Sequence, residues 1–277
     1  MTRTGISFFK MSGSGNDFIV VDNRDRIVPE EDLERWIASI CRRKHSVGAD
    51  GLILIETSEE VDFKWRFFNS DGGEAEMCGN GGRCAARFAF LKGIAGPRLS
   101  FETKAGEVRA EVGGEQVKLE LPEPSIPEVD YPLEVEGETM TVSSVTVGVP
   151  HAVIWVKDLE KTPVFKRGRA VRYHDRYAPA GTNVNFVRPL DDGTLAIRTY
   201  ERGVEDETLA CGTGSVAAAL IASAKGMVNS PGILHTRGGE RLRIYFKKAG
   251  HGFRDVFLEG DAKVIYEGQL GGEALRE

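Results

Sequence analysis

Two cysteines, Cys78 and Cys211, stand in the same short sequence context in the two halves of the chain. Each is followed by a glycine, a polar residue and a second glycine, and each has a glutamate four residues before it. A pair of matched thiols suits a reaction that needs a base on one face of a carbon and an acid on the other. The sequence therefore indicates two acid–base thiols that act as a pair.

Both cysteines precede segments with helical character, at residues 83–91 and 215–224. A thiol at a helix N-terminus lies near unpaired N–H groups and the positive end of the helix dipole, which lower its pKa. The same N–H groups can bind a carboxylate, and the glycines allow a ligand to approach the backbone. We therefore predict a lowered thiol pKa and an α-carboxylate site at the start of each helix.

The context of the two cysteines belongs to a longer repeat with an offset of 133 residues, the distance from Cys78 to Cys211. Without a gap, residues 15–20, 48–51, 74–86 and 103–107 align with residues 148–153, 181–184, 207–219 and 236–240. Four segments in one register indicate an internal duplication, with a period too long for a solenoid.

The composition is that of an ordinary globular chain of two domains, with 277 residues, 41% hydrophobic and 28% charged. A net charge of −6 and the lack of a basic stripe argue against a nucleic-acid partner. No apolar leader and no run of membrane-spanning length is found, so no membrane association is expected. Four cysteines in a chain this long do not form a disulfide scaffold, which favours a cytoplasmic location.

The pattern of apolar residues predicts an α+β fold in which each half has many strands and one helix after its cysteine. A further helix is predicted at 30–44, and a proline-rich linker at 122–127. Strands are predicted at 6–10, 18–22, 52–56, 64–69, 99–103, 107–112, 117–121, 146–156, 183–188 and 195–201. The helices are expected to pack against or inside a highly curved sheet.

Other chemistries find less support. Cys41 and Cys84 lie inside predicted helices and have no cysteine at the matching offset, so we expect both to be buried apolar residues. The histidines and cysteines show no metal-ligand spacing. Residues 13–18 lack the third glycine of a dinucleotide-binding loop, and no nucleophile elbow or pyridoxal-phosphate lysine is indicated. The sequence thus predicts neither a metal nor a cofactor.

Polar residues cluster in the turns that the repeat aligns, namely Asn16, Asn69, Asn80, Asn183, Asn185, Glu201 and Arg202. Asparagine is common in turns because it tolerates the left-handed conformation. The same residues could supply donors and acceptors for a zwitterionic substrate, with Glu201 at an ammonium and Arg202 at a carboxylate. Alternatively, Arg202 pairs with Glu201 or Glu205 as solvated surface charge.

Six segments together resemble the diaminopimelate epimerase family: residues 10–18, 69–72, 77–84, 181–183, 201–203 and 210–214. The resemblance covers essentially the whole chain. It implies two pseudo-symmetric domains, each a β-barrel-like sheet wrapped around a central helix, with the active site in the interdomain cleft. It also implies a last strand that returns to the first domain, giving domains at 1–124 plus 261–277 and at 125–260.

The resemblance implies a cofactor-independent isomerase that interconverts LL- and meso-2,6-diaminopimelate, a precursor of lysine and peptidoglycan. Cys78 and Cys211 would be the acid–base pair. The remaining implied residues bind the substrate. Its α-carboxylate would be bound by the backbone of Gly79, Asn80, Gly212 and Thr213. The rest of the molecule would be bound by Asn16, Asn69, Asn183, Glu201 and Arg202.

Two departures from the family pattern leave the identity of the substrate open. Val149 stands where many members have asparagine, and Gly51 where some have glutamine. One alternative is a racemase or epimerase of another amino acid, such as histidine or hydroxyproline. A second is a dithiol redox or binding protein. Arg202, Asn69 and Asn183 favour a substrate with a second charged end. The oligomeric state is open, with a homodimer as one form.

Overall fold

The computed structural model describes residues 5–28 and 30–275. The chain divides into two compact units, of which the first comprises Met1–Leu119 and Gly260–Glu277 and the second Glu120–Glu259. These divisions fall after residues 119 and 259, whereas the boundaries expected from sequence fall after 124 and 260. The first unit is therefore assembled from both ends of the chain, and the second from one continuous stretch.

The α-helices are α1 (Leu33–Cys41), α2 (Gly79–Leu91), α3 (Val164–Arg172) and α4 (Gly212–Ala224). The strands of the first half are β1 (Ser7–Gly13), β2 (Asn16–Asp22), β3 (Gly51–Glu56), β4 (Phe63–Asn69), β5 (Glu74–Ala75), β6 (Arg98–Thr103), β7 (Gly106–Gly113) and β8 (Gln116–Glu120). They are followed by β9 (Glu128–Val135), β10 (Glu138–Val147), β11 (Val149–Trp155), β12 (Asn183–Pro189), β13 (Leu195–Glu201), β14 (Asp206–Thr208), β15 (Gly232–His235), β16 (Arg241–Ala249), β17 (Gly252–Asp261) and β18 (Lys263–Gln269). Short 3-10 turns lie at Asp175–Tyr177 and Gly272–Leu275.

In the first unit the strands pair in the order β18, β1, β2, β3, β4, β6, β7 and β8, and β5 also pairs with β4. The pairs β2–β3 and β4–β6 are parallel, and the others are antiparallel. Strand β18 lies beside β1, with Ser7 opposite Gln269. The returning last strand that the resemblance implied is thus present.

The second unit repeats this order as β9, β10, β11, β12, β13, β15, β16 and β17, with β14 beside β13. Its parallel pairs are β11–β12 and β13–β15, which correspond to β2–β3 and β4–β6. The two units are therefore copies of one topology, as the repeat predicts. Among the strands that the structure describes, neither ladder joins its two ends, so each barrel-like sheet is open.

A mostly buried helix lies at the centre of each unit. Helix α4 touches β10, β11, β12, β13, β15 and β16, and its residues 216–222 are fully buried. Such a helix is apolar on all sides because it has no face toward water. Its alanines allow the strands to approach closely, and α2 contains a similar run with Cys84, Ala85 and Ala86. The predicted central helices are confirmed.

Several elements differ from the sequence predictions. Helices α2 and α4 begin at Gly79 and Gly212, immediately after their cysteines, because the glycine-rich segments are the first helical turns. The predicted strand at 146–156 is two strands, β10 and β11, separated by Gly148 at φ 67. Helix α1 is shorter than predicted, and α3, β5, β9 and β14 to β17 were not predicted.

No helix in the described part of the chain has the length and apolar character that crossing a membrane requires.

Candidate active-site residues

Cys78 is the N-cap residue of α2, with an extended backbone at φ −145 and ψ 115. The Gly81 N–H donates a hydrogen bond to Cys78 Sγ at 3.4 Å, so an amide of the first helical turn holds the thiol. Cys78 is half-buried. A Cβ added to Gly79 would have no described neighbour atom within 4 Å, so the backbone beside this thiol is open on that side.

The start of α2 is packed tightly against the first strand of its unit. A Cβ on Gly13 would lie 2.7 Å from the carbonyl oxygen of Asn80 and 3.2 Å from Cys84 Sγ. Cys84 itself is fully buried, and burial raises its thiol pKa to about 12. Burial likewise raises the pKa of the Cys41 thiol to about 12. Both thiols lie within helices and in the apolar cores, as predicted.

A chain of side-chain hydrogen bonds joins the two asparagines predicted for the first half. Asn80 Nδ2 donates to Asn16 Oδ1 at 2.6 Å, and Asn16 Nδ2 donates to Asp50 Oδ2 at 3.1 Å. At the other end, Arg83 Nη2 donates to Asn80 Oδ1 at 2.9 Å. The structure therefore brings Asn16 and Asn80 together beside the start of α2, with their amide orientations set by Asp50 and Arg83.

Arg83 is a residue that the sequence reading missed. It is fully buried in α2, and it also donates to the Ser14 hydroxyl and, at 3.3 Å, to the carbonyl oxygen of Asp261. A charged side chain is almost never fully buried unless it is bound by other groups. An arginine within an alanine-rich apolar helix was the available signal.

Charged groups hold the β1–β2 turn that carries Asn16. Asp17 pairs with Lys10 at 2.9 Å and with Arg43, and Arg43 also pairs with Asp50 at 2.8 Å. Burial acts to raise the pKa of the Asp17 carboxyl, but hydrogen bonds from Arg43 and Lys10 outweigh it and lower that pKa to about 2. The Asp50 carboxylate that orients Asn16 is thus itself fixed by Arg43.

Asn69 lies apart from that network, at the exposed end of β4 opposite Gly51. Its N–H donates to the Gly73 carbonyl oxygen at 2.9 Å, and its own carbonyl accepts from the Gly72 N–H at 3.0 Å. A Cβ on Gly51 would lie 2.5 Å from the Phe68 carbonyl oxygen. Glutamine at position 51 would therefore require the strands to move.

Cys211 is the matching N-cap residue of α4, and it is only 7% exposed. Burial raises the pKa of its thiol to about 12, and the charge of Glu201 adds to the increase. The Gly214 N–H and the Thr213 hydroxyl, 3.7 Å from the sulfur, act in the opposite direction. The prediction of a lowered thiol pKa is wrong for Cys211 because burial outweighs the helix terminus.

Gly214 faces a buried asparagine. A Cβ on Gly214 would lie 2.2 Å from Asn185 Oδ1 and 3.1 Å from Cys211 Sγ. Asn185 is fully buried and donates to the Ala152 carbonyl oxygen at 3.0 Å. Only glycine fits at position 214 while Asn185 holds this position.

We expect Gly214→Ala to destabilise the protein by about 1–3 kcal/mol, because an added methyl group overlaps a buried, hydrogen-bonded oxygen. Gly79→Ala is the matched control, since the methyl group enters open space at the start of the other central helix. Thermal unfolding of the two variants measures the difference. Equal melting temperatures for both variants would show that Asn185 yields to the methyl group.

Asn183 and Arg202 lie together in the second unit. The Arg202 N–H donates to Asn183 Oδ1 at 2.8 Å, and Asn183 Nδ2 donates to the Pro150 carbonyl oxygen at 3.3 Å. Asn183 thereby fixes the backbone at the end of β13, where Arg202 follows Glu201. Burial raises the pKa of the Glu201 carboxyl.

The surface ion pair considered for Arg202 is not formed. Glu205 instead pairs with Arg172 at 3.0 Å. Within residues 5–28 and 30–275, the Arg202 guanidinium contacts no carboxylate, and its Nη1 donates to the Ala180 carbonyl oxygen at 3.4 Å. The positive charge of a half-buried arginine is therefore available to an anion.

His151 was not predicted as a site residue, although it follows the Val149-Pro150 pair. It is 1% exposed, and burial lowers the pKa of its imidazole to about 3, with Arg202 contributing. Its side chain is therefore neutral and lies 3.3 Å from Asn185 Nδ2. Among the described residues, no three His, Cys, Asp or Glu side chains gather in a way that could hold a metal ion.

Comparison with known proteins places the chain among epimerases. The family model described as Diaminopimelate epimerase matches residues 8–125 and 143–265. The diaminopimelate epimerase of Aquifex aeolicus is 49% identical over 284 residues, covering 98% of this chain and 99% of that protein. That of Hydrogenobaculum sp. is 45% identical, covering 95% of this chain and 98% of that protein.

Solved structures share the fold at low sequence identity. A PhzF-family phenazine biosynthesis protein from Bacillus anthracis superposes with a TM-score of 0.71 at 17% identity, covering 96% of this chain and 98% of that one. A hydroxyproline epimerase from Agrobacterium vitis gives 0.68 at 16% identity, covering 97% and 94%. At these identities the likeness concerns the fold alone.

Proposed function

Because the chain belongs to the diaminopimelate epimerase family, we propose that it interconverts LL- and meso-2,6-diaminopimelate by inverting one α-carbon. The observation that carries this proposal is the equivalence of Cys78 and Cys211. Each thiol is the N-cap residue of the central helix of its unit. Cys78 Sγ accepts a hydrogen bond from the Gly81 N–H, and Cys211 Sγ lies 3.7 Å from the Thr213 hydroxyl.

The proposed reaction moves two protons and leaves both sulfurs in the same oxidation state. A thiolate takes the α-proton, so that a C–H bond breaks and an S–H bond forms. The opposite thiol then donates its proton to the other face of the carbanion. Cys211 is the proton donor in the described state because burial keeps its thiol protonated. Cys78 is then the base, and the two roles exchange for the reverse reaction.

The N-termini of α2 and α4 are proposed to stabilise the negative charge that develops on the substrate. Loss of the α-proton spreads charge onto the α-carboxylate, and fixed N–H donors aimed at that group stabilise the transition state. We assign the backbone N–H groups of Gly79, Asn80, Gly212 and Thr213 to this role. The open space beside Gly79 supports the assignment.

The distal end of the substrate is assigned to Arg202 and Glu201. The guanidinium without a carboxylate contact would bind the distal carboxylate, and Glu201 would face an ammonium group. Asn16 and Asn183 each use part of their amide within the protein, and an amide has a further N–H and lone pair for substrate. Asn69 is exposed and completes the proposed set.

The cytoplasm is the proposed location, since its reducing conditions keep Cys78 and Cys211 as free thiols. The proposed partner is a small amino-acid substrate, without nucleic acid or membrane.

Transfer of deuterium from solvent to the α-carbon tests this function and its alternatives. We expect the protein to exchange and epimerise LL- and meso-diaminopimelate, and to leave L-histidine and trans-4-hydroxy-L-proline unchanged. Activity is expected to persist after chelation and without added pyridoxal phosphate. Exchange with one of the other amino acids would reassign the substrate. No exchange with any of them would favour the dithiol redox or binding protein.

A further inference from the structure

A cluster of buried polar side chains lies directly behind Cys211, on three neighbouring strands. Asn185 on β12 is fully buried, His151 on β11 is 1% exposed, and Thr199 on β13 is 3% exposed. Thr199 Oγ1 donates to Asn185 Oδ1 at 2.9 Å. Burying a polar group costs free energy unless its hydrogen bonds are made, so this cluster depends on internal bonds that apolar side chains would not need.

The hydrogen bonds fix the direction of the Asn185 amide. Nδ2 donates to the Ala152 carbonyl oxygen at 3.0 Å and faces His151 Nδ1 at 3.3 Å, while Oδ1 accepts from Thr199. The opposite orientation would place Oδ1 against the Ala152 carbonyl oxygen, and two acceptors cannot share a hydrogen bond. The negative end of the amide dipole is therefore fixed on the Oδ1 side.

That oxygen points toward the Cys211 loop. The position of a Cβ on Gly214 is 2.2 Å from Asn185 Oδ1 and 3.1 Å from Cys211 Sγ, so both atoms adjoin the same point. The acceptor end of a fixed dipole close to a sulfur disfavours negative charge there. The backbone N–H of Gly214 acts in the opposite direction and lowers the pKa of the Cys211 thiol.

The duplication shows that the fold does not need this cluster. His151 pairs with Asn183 as Phe18 pairs with Gly51, so the strand pairing matches the two units with an offset of 133 residues in β11 and of 132 residues, one less than in the sequence repeat, in β12 and β13. The counterparts of His151, Asn185 and Thr199 are Phe18, Ile53 and Phe67, all buried.

Apolar atoms also occupy the equivalent space behind the other thiol. A Cβ on Gly81, the counterpart of Gly214, would meet Ile53 Cδ1 and Trp65 Cζ3, each at 3.4 Å. Polar groups occur at this depth in the second unit, beside Cys211, and the first unit reaches the same topology without them.

We propose that Asn185 is a positioning residue that keeps Cys211 protonated in the free enzyme and thereby makes the two thiols inequivalent. The inference rests on the proposed pairing of Cys78 and Cys211 as acid and base. It assigns the resting roles: Cys211 donates first, and Cys78 is the thiolate that starts the reaction.

Other charged and polar groups that the structure describes also lie around Cys211. Glu201 on β13 carries a charge that also disfavours the thiolate, and Arg202 follows it in the chain. His151 on β11 is neutral because burial lowers its pKa to about 3. From α4 itself, the Gly214 N–H and the Thr213 hydroxyl favour the thiolate. Asn185 is the uncharged group of this set whose orientation is fixed by bonds on both sides.

The test is the pH dependence of alkylation of each cysteine by iodoacetamide. The full-length protein is alkylated in the absence of substrate and then digested, and mass spectrometry of its peptides measures the alkylated fraction of each cysteine. Asn185→Ile installs the residue that the first unit has at this position. We expect the midpoint of Cys211 alkylation to move to lower pH, with roughly a tenfold faster reaction near neutrality for each pKa unit. Greater access alone would raise the rate equally at every pH and leave the midpoint in place.

Ile53→Leu is the matched control, because it alters packing behind Gly81 without a polar group, and it is expected to move neither midpoint. Asn185→Ala, which only removes atoms, carries the same expectation as Asn185→Ile. Cooperative thermal unfolding reports that a variant is folded, since Cys41 and Cys84 lie in the first unit and Asn185 in the second. An unmoved or raised Cys211 midpoint in a folded variant would overturn the proposal. If neither Asn185 variant unfolded cooperatively, the cluster would be a folding requirement and the proposal would be wrong. These readouts are independent of which amino acid is the substrate.

Discussion

Alanine in place of either Cys78 or Cys211 is expected to abolish epimerisation while the protein remains folded. Each proposed step uses one thiol as base and the other as acid, and one thiol cannot serve both faces of the α-carbon. Loss of one general acid or base costs about 10²- to 10⁴-fold in rate. Each substitution removes the only proposed proton donor or acceptor on one face of the α-carbon. We therefore expect a loss in rate of at least about 10⁴-fold, the upper end of that range.

Chiral separation of the product, with thermal unfolding of the same samples, measures both parts of this expectation. Cys84→Ala is the matched control, since that thiol is fully buried in the core of the first unit. It should lower stability and leave turnover largely intact. Near-normal turnover in either Cys78→Ala or Cys211→Ala would show that the paired-thiol assignment is mistaken.

The second large effect is expected for Arg202→Lys. A guanidinium can hold a carboxylate through two parallel hydrogen bonds, and the single ammonium of lysine cannot reproduce that geometry. Binding energy at the distal carboxylate also aligns the α-carbon with the thiols, so kcat should fall together with affinity. We expect a loss of about tenfold to a hundredfold in kcat/KM for diaminopimelate, on the scale of 1.4–2.8 kcal/mol for a charge-assisted hydrogen bond.

A monocarboxylate analogue that lacks the distal carboxylate distinguishes the two roles considered for Arg202. The substitution should affect diaminopimelate strongly and the analogue little. Arg172→Lys is the control, because Arg172 already pairs with Glu205 at 3.0 Å and its loss should affect stability and both compounds alike. If Arg202→Lys lowered kcat/KM equally for both compounds, Arg202 would not bind the distal carboxylate, and the diaminopimelate assignment would be weakened.

Much of the fold was predictable because its signals are local or repeated. Alternating apolar residues marked most strands of the first unit, and the common offset of the repeat predicted two copies of one topology. Helix α3 was missed because it contains Gly168 among charged residues. That glycine is required by packing, since a Cβ there would lie 2.4 Å from Tyr200 Cβ. A close approach between distant segments leaves no mark in the local pattern.

The candidate site was predictable in its residue types and less so in its electrostatics. The glycine-rich context identified Cys78 and Cys211, and their N-cap positions followed from it. The pKa of Cys211 was predicted in the wrong direction because burial depends on the packed sheet. Partners such as Asp50 for Asn16, 34 residues away, were equally hidden. Side-chain orientation is decided by such distant contacts.

The pairing of β1 with β18 has a consequence for the order in which the protein can form during synthesis. Ser7 and Gln269, which face each other in that pair, are separated by nearly the full chain. Synthesis proceeds from the N-terminus, so β1 is made long before β18, its outer neighbour in the sheet. The continuous stretch Glu120–Glu259 is complete earlier. The second unit can therefore form first, while an edge of the first unit stays unpaired until β18 has been synthesised.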